Sequence, residues 1–315
     1  MVKPKLFIMC GLSGSGKSSI AKDLAAKHNA DIVSSDVIRE GLFGSSQDQS
    51  DNGKVFNIFN KRIRELLNSN KNVIADATNI TIKSRRAIIE NVRKLEVEKI
   101  CYIVSKKYED CIRDNKNREY SVPEYVLENQ LKRFQIPFLE EGFNKIIIHD
   151  MGYTYADKLT PSVLMISMRG FDQKNPHHDM YLRDHCYFTY KRFSNKMKFF
   201  KYYEDGFLMG AKIHDIGKLY TQEIDENGVA HYYGHENLGS YYVLTMLSNP
   251  FEEYPSDKFL LDCCFLINYH MLPFNWNTDK SKNKWKRIFG EEKYNMLLRF
   301  HECDKERYEN FEEII

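Results

Sequence analysis

The 315-residue sequence has no excess of charge of either sign: 46 lysines and arginines stand against 44 aspartates and glutamates, a formal net charge of +2. No overall field therefore demands a polyanion or a membrane as partner, and any basic groove must be local. Its seven cysteines (Cys10, Cys101, Cys111, Cys186, Cys263, Cys264 and Cys303) form no C-x-x-C pair. An odd number of thiols in so long a chain makes a poor disulfide framework, so a reducing, cytoplasmic setting is expected. No apolar run approaches the ~18 residues of a membrane span. The opening stretch MVKPKLFIMCGLSGSGKSS has glycines directly behind a short apolar run and reads as a first strand, not as a secretion signal. Internal repeats and low-complexity tracts are absent too, which excludes a repeat array.

What is present falls into two differently patterned halves, as expected for a chain longer than the ~100–200 residues of one domain. Up to residue 151, five short apolar runs (LFIMC, DIVSS, NVIADA, KICYIV, KIIIHD) are separated by amphipathic stretches such as GKSSIAKDLAAKH and IKSRRAIIENVRKLE. Strands spaced by helices predict a parallel sheet with helices on both faces. From about residue 180 the periodicity becomes helical, as in DGFLMGAKIHDIGKLY and DKFLLDCCFLINYHML, so this half is expected to be mostly α. Between them, 152–176 has turn formers without a sustained period and reads as a junction, giving domains 1–151 and 177–315.

Gly11, Gly16, Lys17 and Ser18 satisfy G-x-x-x-x-G-K-[ST] between an expected strand (6–10) and an expected helix (17–28). The mechanism needs this placement. Backbone N–H groups over Gly11, Ser13, Gly14, Ser15, Gly16, Lys17, Ser18 and Ser19 can wrap the phosphates of ATP or another nucleoside triphosphate, Lys17 reaches the β/γ oxygens, and Ser18 holds Mg²⁺. Such a loop serves switches, motors and kinases alike, so the acceptor side must decide. SSDVIRE puts Asp36 and Arg39 after the second strand, a carboxylate able to take a hydroxyl proton and a planar fork able to hold a phosphate. NVIADATN ends an apolar run in Asp76, placed for Mg²⁺, with Thr78 and Asn79 expected to face acceptor or nucleotide. CIRDNKNREYSVPEYVL reads as a lid carrying Arg113 and Arg118, which can stabilise charge on a transferring phosphoryl group.

In this order GLSGSGKS, SSDVIR, ADATN and VPEYVLENQLKRFQIPFLEEGFNKI resemble the 5′-hydroxyl polynucleotide kinases over residues 5 to about 150. The resemblance implies an α/β P-loop kinase domain in which Asp36 is the general base and Arg39 contacts the acceptor's 3′ phosphate; beside it, Lys17 and Arg118 are expected to act on the transferred group and Arg113 on the nucleotide side. Lid members often show R-x-R before V-P, whereas here Glu119 and Tyr120 follow Arg118.

The second half spaces His185, His214–Asp215 and Asp304 by 29 and 89 residues, with His235 and His270 between. Imidazole and carboxylate donors suit Mn²⁺, Fe²⁺, Co²⁺ or Ni²⁺ better than an all-thiolate zinc site would. Metal-bound water can attack phosphorus, and Lys218, one turn on, can neutralise a phosphate. H…HDIGK…H…H…D resembles the HD-domain metal-dependent phosphohydrolases over 177 to about 310, which implies an all-α HD domain. It further implies that His185, His214, Asp215 and Asp304 hold one metal, with His235 and His270 added for a second. His177, His178 and His301 read as loop or substrate-side histidines.

A polynucleotide kinase joined to an HD phosphohydrolase resembles the bifunctional RNA end-healing enzymes, one module phosphorylating 5′-OH ends and the other clearing 2′,3′-cyclic or 2′/3′-phosphate ends. That implies RNA or DNA ends as substrate, an RNA ligase acting downstream, and no membrane. Basic clusters in NKRIRELLNSNKN, in KSRR and around Lys132 and Arg133 are the candidate track for the strand. The rivals are a small-metabolite or nucleoside kinase fused to an HD nucleotidase or phosphodiesterase, and a nucleotide sensor without turnover.

Overall fold

The five apolar runs become strands β1 (Lys5–Cys10), β2 (Ala30–Ser34), β3 (Asn72–Asp76), β4 (Glu98–Ser105) and β5 (Lys145–Asp150). In the computed structural model, which describes residues 3–118, 120–151, 158–176, 180–197, 205–247 and 257–305, they form one parallel sheet in the order β2-β3-β1-β4-β5. The central strand β1 is buried from Leu6 to Cys10, as a continuous apolar run in a sheet covered on both faces must be. Helix α1 (Lys17–His28) lays Ala21 and Leu24 on Phe7, Met9 and Ile74.

Strand order decides which loops meet. β3 lies between β1 and β2, with Ser34 opposite Asp76, so the segments following β1, β2 and β3 emerge side by side at the carboxyl edge, where doubly wound sheets keep their ligands. Helix α2 (Ser35–Phe43) begins directly after β2. Helix α3 (Asn52–Asn68) follows, capped by the Asp51 side chain accepting from Lys54 N–H and burying Val55, Phe59, Ile63 and Leu67 at four-residue spacing.

Helix α4 (Ile82–Asn91) brings Arg85 into a fully buried pair with Glu141, at 2.7 Å. Its guanidinium also donates to the carbonyls of Asn79 and Gln135. Removing one partner of so buried a pair costs about 3–5 kcal/mol, because the other charge is left stranded. Arg85 therefore belongs to the core and not to the strand-binding track expected of KSRR. Helices α5 (Tyr108–Lys116) and α6 (Glu124–Leu131) frame the expected lid, whose Glu119 lies outside the described residues.

The chain divides into two units, Met1–Lys158 with Tyr241–Met246, and Leu159–Ser240 with Leu247–Ile315. The second is helical: α7 (Pro161–Ser167), α8 (Leu182–Met197), α9 (Asp205–Lys212), α10 (Lys218–Thr221), the first half of α11 (His235–Met246), α12 (Asp257–Tyr269) and α13 (Asp279–Lys305), with the two-residue strands β6 (Glu223–Ile224) and β7 (Ala230–His231) paired antiparallel. α7 occupies the stretch expected as a featureless junction. Thr160 caps it, Pro161 opens it and Leu164 is buried beneath it, a start signal written in the sequence. Residues 152–157 of that junction lie outside the described residues. α9 packs on α12 and α8, and α8 on α13. Among the described residues no helix is long and apolar enough to cross a membrane.

Candidate functional site

In the first unit the loop after β1 folds back through Ser15 N–H to the Leu12 carbonyl, with Gly14 and Gly16 at φ 78° and 90°. That left-handed region suits glycine, and a Cβ on Gly14 would also strike the Cys111 carbonyl oxygen of α5. Lys17 Nζ turns back to the Leu12 carbonyl at 2.6 Å. Burial lowers its pKa, opposed by the Asp76 carboxylate. Ser18 Oγ donates to Asp76 Oδ2 at 3.0 Å. Burial raises the Asp76 pKa against the pull of Lys17 and Ser18, so these two oxygens form a partly desolvated pair of the kind that a Mg²⁺ ion would draw to itself.

A cavity of about 730 Å³ brings Ser18, Asp36, Asp76 and Arg118 to one wall-to-wall space, together with Lys22 and Arg62. Asp36 is 55% exposed there, and Arg39, 7% exposed, donates to its Oδ1 at 2.9 Å. The other guanidinium contacts of Arg39 go to the Ser46 carbonyl and Asn52 Oδ1. Arg39 thus turns inward and aims the Asp36 carboxylate, instead of facing the cavity as a phosphate ligand. Arg113 is 65% exposed and paired with Asp110 and Asp114, and it does not line the cavity. Asn79 is buried, with φ 45°, and its Nδ2 donates to the Met9 carbonyl, so it clasps β1 where a contact to acceptor or nucleotide was expected. Gln130 of α6, which the sequence pattern did not single out, accepts from Ser13 N–H at 2.8 Å and donates to Ser13 Oγ. It lies within VPEYVLENQLKRF, but its part depends on α6 reaching the loop, which the stretch alone does not show.

In the second unit the chain breaks at 213–217, between α9 and α10, and presents His214 and Asp215 from the break. Gly217 lets this turn touch α11: a Cβ there would meet the His235 carbonyl and the Gly239 nitrogen. The six expected ligands converge. His185, His214 and Asp304 place donor atoms within 4.8 Å of one another, as do Asp215, His235 and His270. Asp215 joins the groups. Its Oδ2 lies 3.5 Å from His185 Nε2 and from His214 Nε2, while its Oδ1 lies 3.1 Å from His235 Nε2 and 3.3 Å from His270 Nε2.

Whether these groups suit a metal is decided by their other atoms. Nδ1 of His214, His235 and His270 lies 3.0, 2.8 and 2.7 Å from the carbonyls of Ala211, Tyr232 and Ile267. A carbonyl can only accept, so each Nδ1 carries the proton and each Nε2 presents a lone pair to the shared space. Nε2 of His235 and of His270 and Oδ1 of Asp304 are buried without a hydrogen-bond partner. Acceptors converging unpaired in a buried space is what a divalent cation would satisfy. Cys186, unmarked in the sequence, also comes within this range of His214 and Asp215.

Burial would raise the Asp215 pKa, but the Lys218 ammonium beside it helps to hold it well below the usual carboxylate range. Lys218 Nζ is buried, 2.7 Å from Asp215 Oδ2 and 2.9 Å from Gln173 Oε1. It faces the Asp215 carboxylate, where a contact to substrate phosphate was expected. Gln173 is fixed in turn by donating to the Met180 carbonyl, and its own carbonyl accepts from Tyr232 Oη. His301 packs edge-on against Phe274 at 4.3 Å, three residues before Asp304. His177, His178 and Asp179 lie outside the described residues.

A family model described as an AAA domain matches residues 6–137. The bifunctional polynucleotide phosphatase/kinase of Schizosaccharomyces pombe is 26% identical over 148 residues, 45% of this chain and 32% of that protein. The chain thus spans about a third of the length of the curated relative it matches. Among solved structures, the Pnkp1/Rnl/Hen1 RNA repair complex includes a chain 21% identical, with TM-score 0.39 and coverage of 42% of this chain and 44% of that one. A gluconokinase from Sinorhizobium meliloti 1021 is 19% identical, with TM-score 0.36 and coverage of 49% and 86%. The first unit is a P-loop domain of the α/β type.

Proposed function

We propose that the chain is a bifunctional nucleic-acid end-processing enzyme: the first unit phosphorylates 5′-hydroxyl ends with ATP, and the second hydrolyses phosphoesters at 2′,3′-cyclic or 2′/3′-phosphate ends in a metal-dependent reaction. The likeness of the first half to the phosphatase/kinase of S. pombe supports the kinase part, and the cavity joining Ser18, Asp76, Asp36 and Arg118 supports its chemistry. Asp36 takes the proton of the acceptor hydroxyl. The freed oxygen forms a bond to the γ-phosphorus while the β–γ bridging bond breaks, its electron pair leaving with the nucleoside diphosphate. Lys17 and Arg118 stabilise the charge that spreads over the transferred group, Ser18 and Asp76 would hold Mg²⁺, and Arg39 keeps Asp36 aimed.

For the second unit the carrying observation is Asp215, one carboxylate whose two oxygens face two separate sets of imidazole nitrogens. His185, His214, Asp304 and Asp215 would hold one divalent transition metal, and His235, His270 and Asp215 a second. Bound there, the metals supply an acidified water as nucleophile and a Lewis acid for the phosphoryl oxygen. Lys218 neutralises part of the negative charge of Asp215, and Gln173 fixes Lys218. One experiment tests both halves: labelled oligonucleotides with 5′-OH, 2′,3′-cyclic phosphate or 3′-phosphate ends, and free nucleosides and nucleotides, incubated with ATP and Mg²⁺, Mn²⁺, Co²⁺ or Ni²⁺. Turnover of oligonucleotide ends by both units is expected. Phosphorylation confined to nucleosides or sugars, or hydrolysis confined to free nucleotides, would replace end healing with the metabolite-enzyme alternative.

A further inference from the structure

The most concentrated charge in this nearly neutral chain lies outside both sites. Five of its cations, Lys280, Lys282, Lys284, Lys286 and Arg287, fall within eight residues at the start of α13, and all five are exposed. At 3.6 residues per turn Lys280, Lys284 and Arg287 leave the helix within one arc of about 60°, while Lys282 and Lys286 leave on its other flank; Ile288 and Phe289 are buried and Trp285 is half-buried between them, stacked on Phe289 at 5.1 Å. Only Lys286 has an acidic partner within ion-pair distance among the described residues, Glu291 at 2.9 Å. Lys284 Nζ lies over the Trp285 ring at 5.0 Å. Exposed Asn275, Asn277 and Asn283 surround the arc with further hydrogen-bonding groups.

This arc shares a frame with the ligand cluster. α13 kinks at Gly290 (φ 74°) and then carries Asp304, and Trp276 stacks on Tyr294 at 4.6 Å, fixing the turn that follows His270 to the same helix. In that turn Phe274, 42% exposed, sets its ring against His301.

We infer that the arc of Lys280, Lys284 and Arg287 is a binding site for the phosphate backbone of a single-stranded nucleic acid, which it holds for the second unit. This deepens the hydrolase half of the proposed function. From Lys280 to Arg287 the helix rises about 10 Å, enough to meet more than one phosphate of an extended strand. A membrane surface is the poorer fit, because the apolar side of this helix is already packed and no large apolar residue on the arc could enter a bilayer. An acidic protein partner is disfavoured as well, since stable protein interfaces centre on apolar and aromatic residues and are poor in lysine.

The test uses the full chain with Lys280, Lys284 and Arg287 changed to serine, three exposed positions whose loss leaves the core intact. Binding of a fluorescent single-stranded RNA of about twelve nucleotides is followed across a salt series, beside Mn²⁺-dependent hydrolysis of bis-p-nitrophenyl phosphate, a substrate too small to reach the arc. The variant should bind RNA about tenfold or more weakly at low salt, and its log-log salt slope should fall by about 2, near 0.7 per lost phosphate contact. Hydrolysis of the small substrate should not change. Equal affinity and slope in the two proteins would overturn the inference, as would a wild-type chain that ignores RNA while binding phosphatidylserine vesicles. Absent hydrolysis of the small substrate in both proteins would strike the metal reading instead and leave the binding result to stand by itself.

Discussion

The first unit builds its site largely from one stretch of backbone, the second from side chains separated by up to 119 residues. Gly11 to Gly16 is a single loop leading into the first turn of α1, its shape follows from local glycine geometry, and the sheet only has to bring Asp36 and Asp76 alongside it. The six donors of the second unit come from α8, the break before α10, α11, the end of α12 and α13. A loop that binds through many backbone N–H groups loses function by degrees as side chains are removed. A ligand cluster tied together through one carboxylate should lose it at once.

The comparison is sharpened most by Asp215→Ala, which removes the group common to both donor sets. Phosphoester hydrolysis should fall below detection and elemental analysis should find the metal content lowered, with kinase activity intact; a variant that kept half its metal and measurable hydrolysis would mean two independent mononuclear sites. Lys17→Ala comes next. Loss of its charge beside the transferring group should slow phosphorylation by about 10²–10³-fold, while hydrolysis proceeds unchanged, and equal loss of both activities would erase the distinction between the units. Asp36→Ala should reduce kcat for phosphorylation by about 10²-fold, with ATP affinity preserved in a fluorescent-nucleotide titration. Wild-type turnover there would remove Asp36 as the base. The smallest effect is expected of Gln173→Ala, which touches Lys218 and no metal donor: hydrolysis should drop by about tenfold, as typical for residues that orient a metal site from outside it. A collapse as deep as that of Asp215→Ala would make Gln173 a direct participant.

Much of the first unit is legible in the sequence because its determinants are local. All five strands and α1 follow from apolar runs bounded by glycines and polar turns, and the loop motif names its own residues. Arg39, Asn79 and Arg85 were harder to read. Their residue types suit phosphate or nucleotide contacts, yet each turns inward, to Asp36, to the Met9 carbonyl and to Glu141 respectively. Nothing within a few residues signals this, because each partner arrives from another element. In the second unit the six ligand types could be read from their spacing, while the contribution of Gln173, 45 residues before Lys218, could not. The basic run KSKNKWKR was visible in composition, but only the burial of Ile288 and Phe289 shows that its charges stay exposed while the helix packs, with Lys280, Lys284 and Arg287 on one side.

By itself the sequence determined the parallel sheet, the phosphate-binding turn and the helical second half, since each rests on periodicity or glycine conformation over short distances, and it named the candidate ligands through their residue types and their resemblance to a known pattern. The tertiary structure alone decided that Asp215 divides its two oxygens between two sets of histidines, that Arg39 aims Asp36, and that Arg113 stays outside the cavity. Such outcomes depend on the direction in which a side chain leaves its element and on what the rest of the chain packs against it, and no local stretch of sequence contains that information.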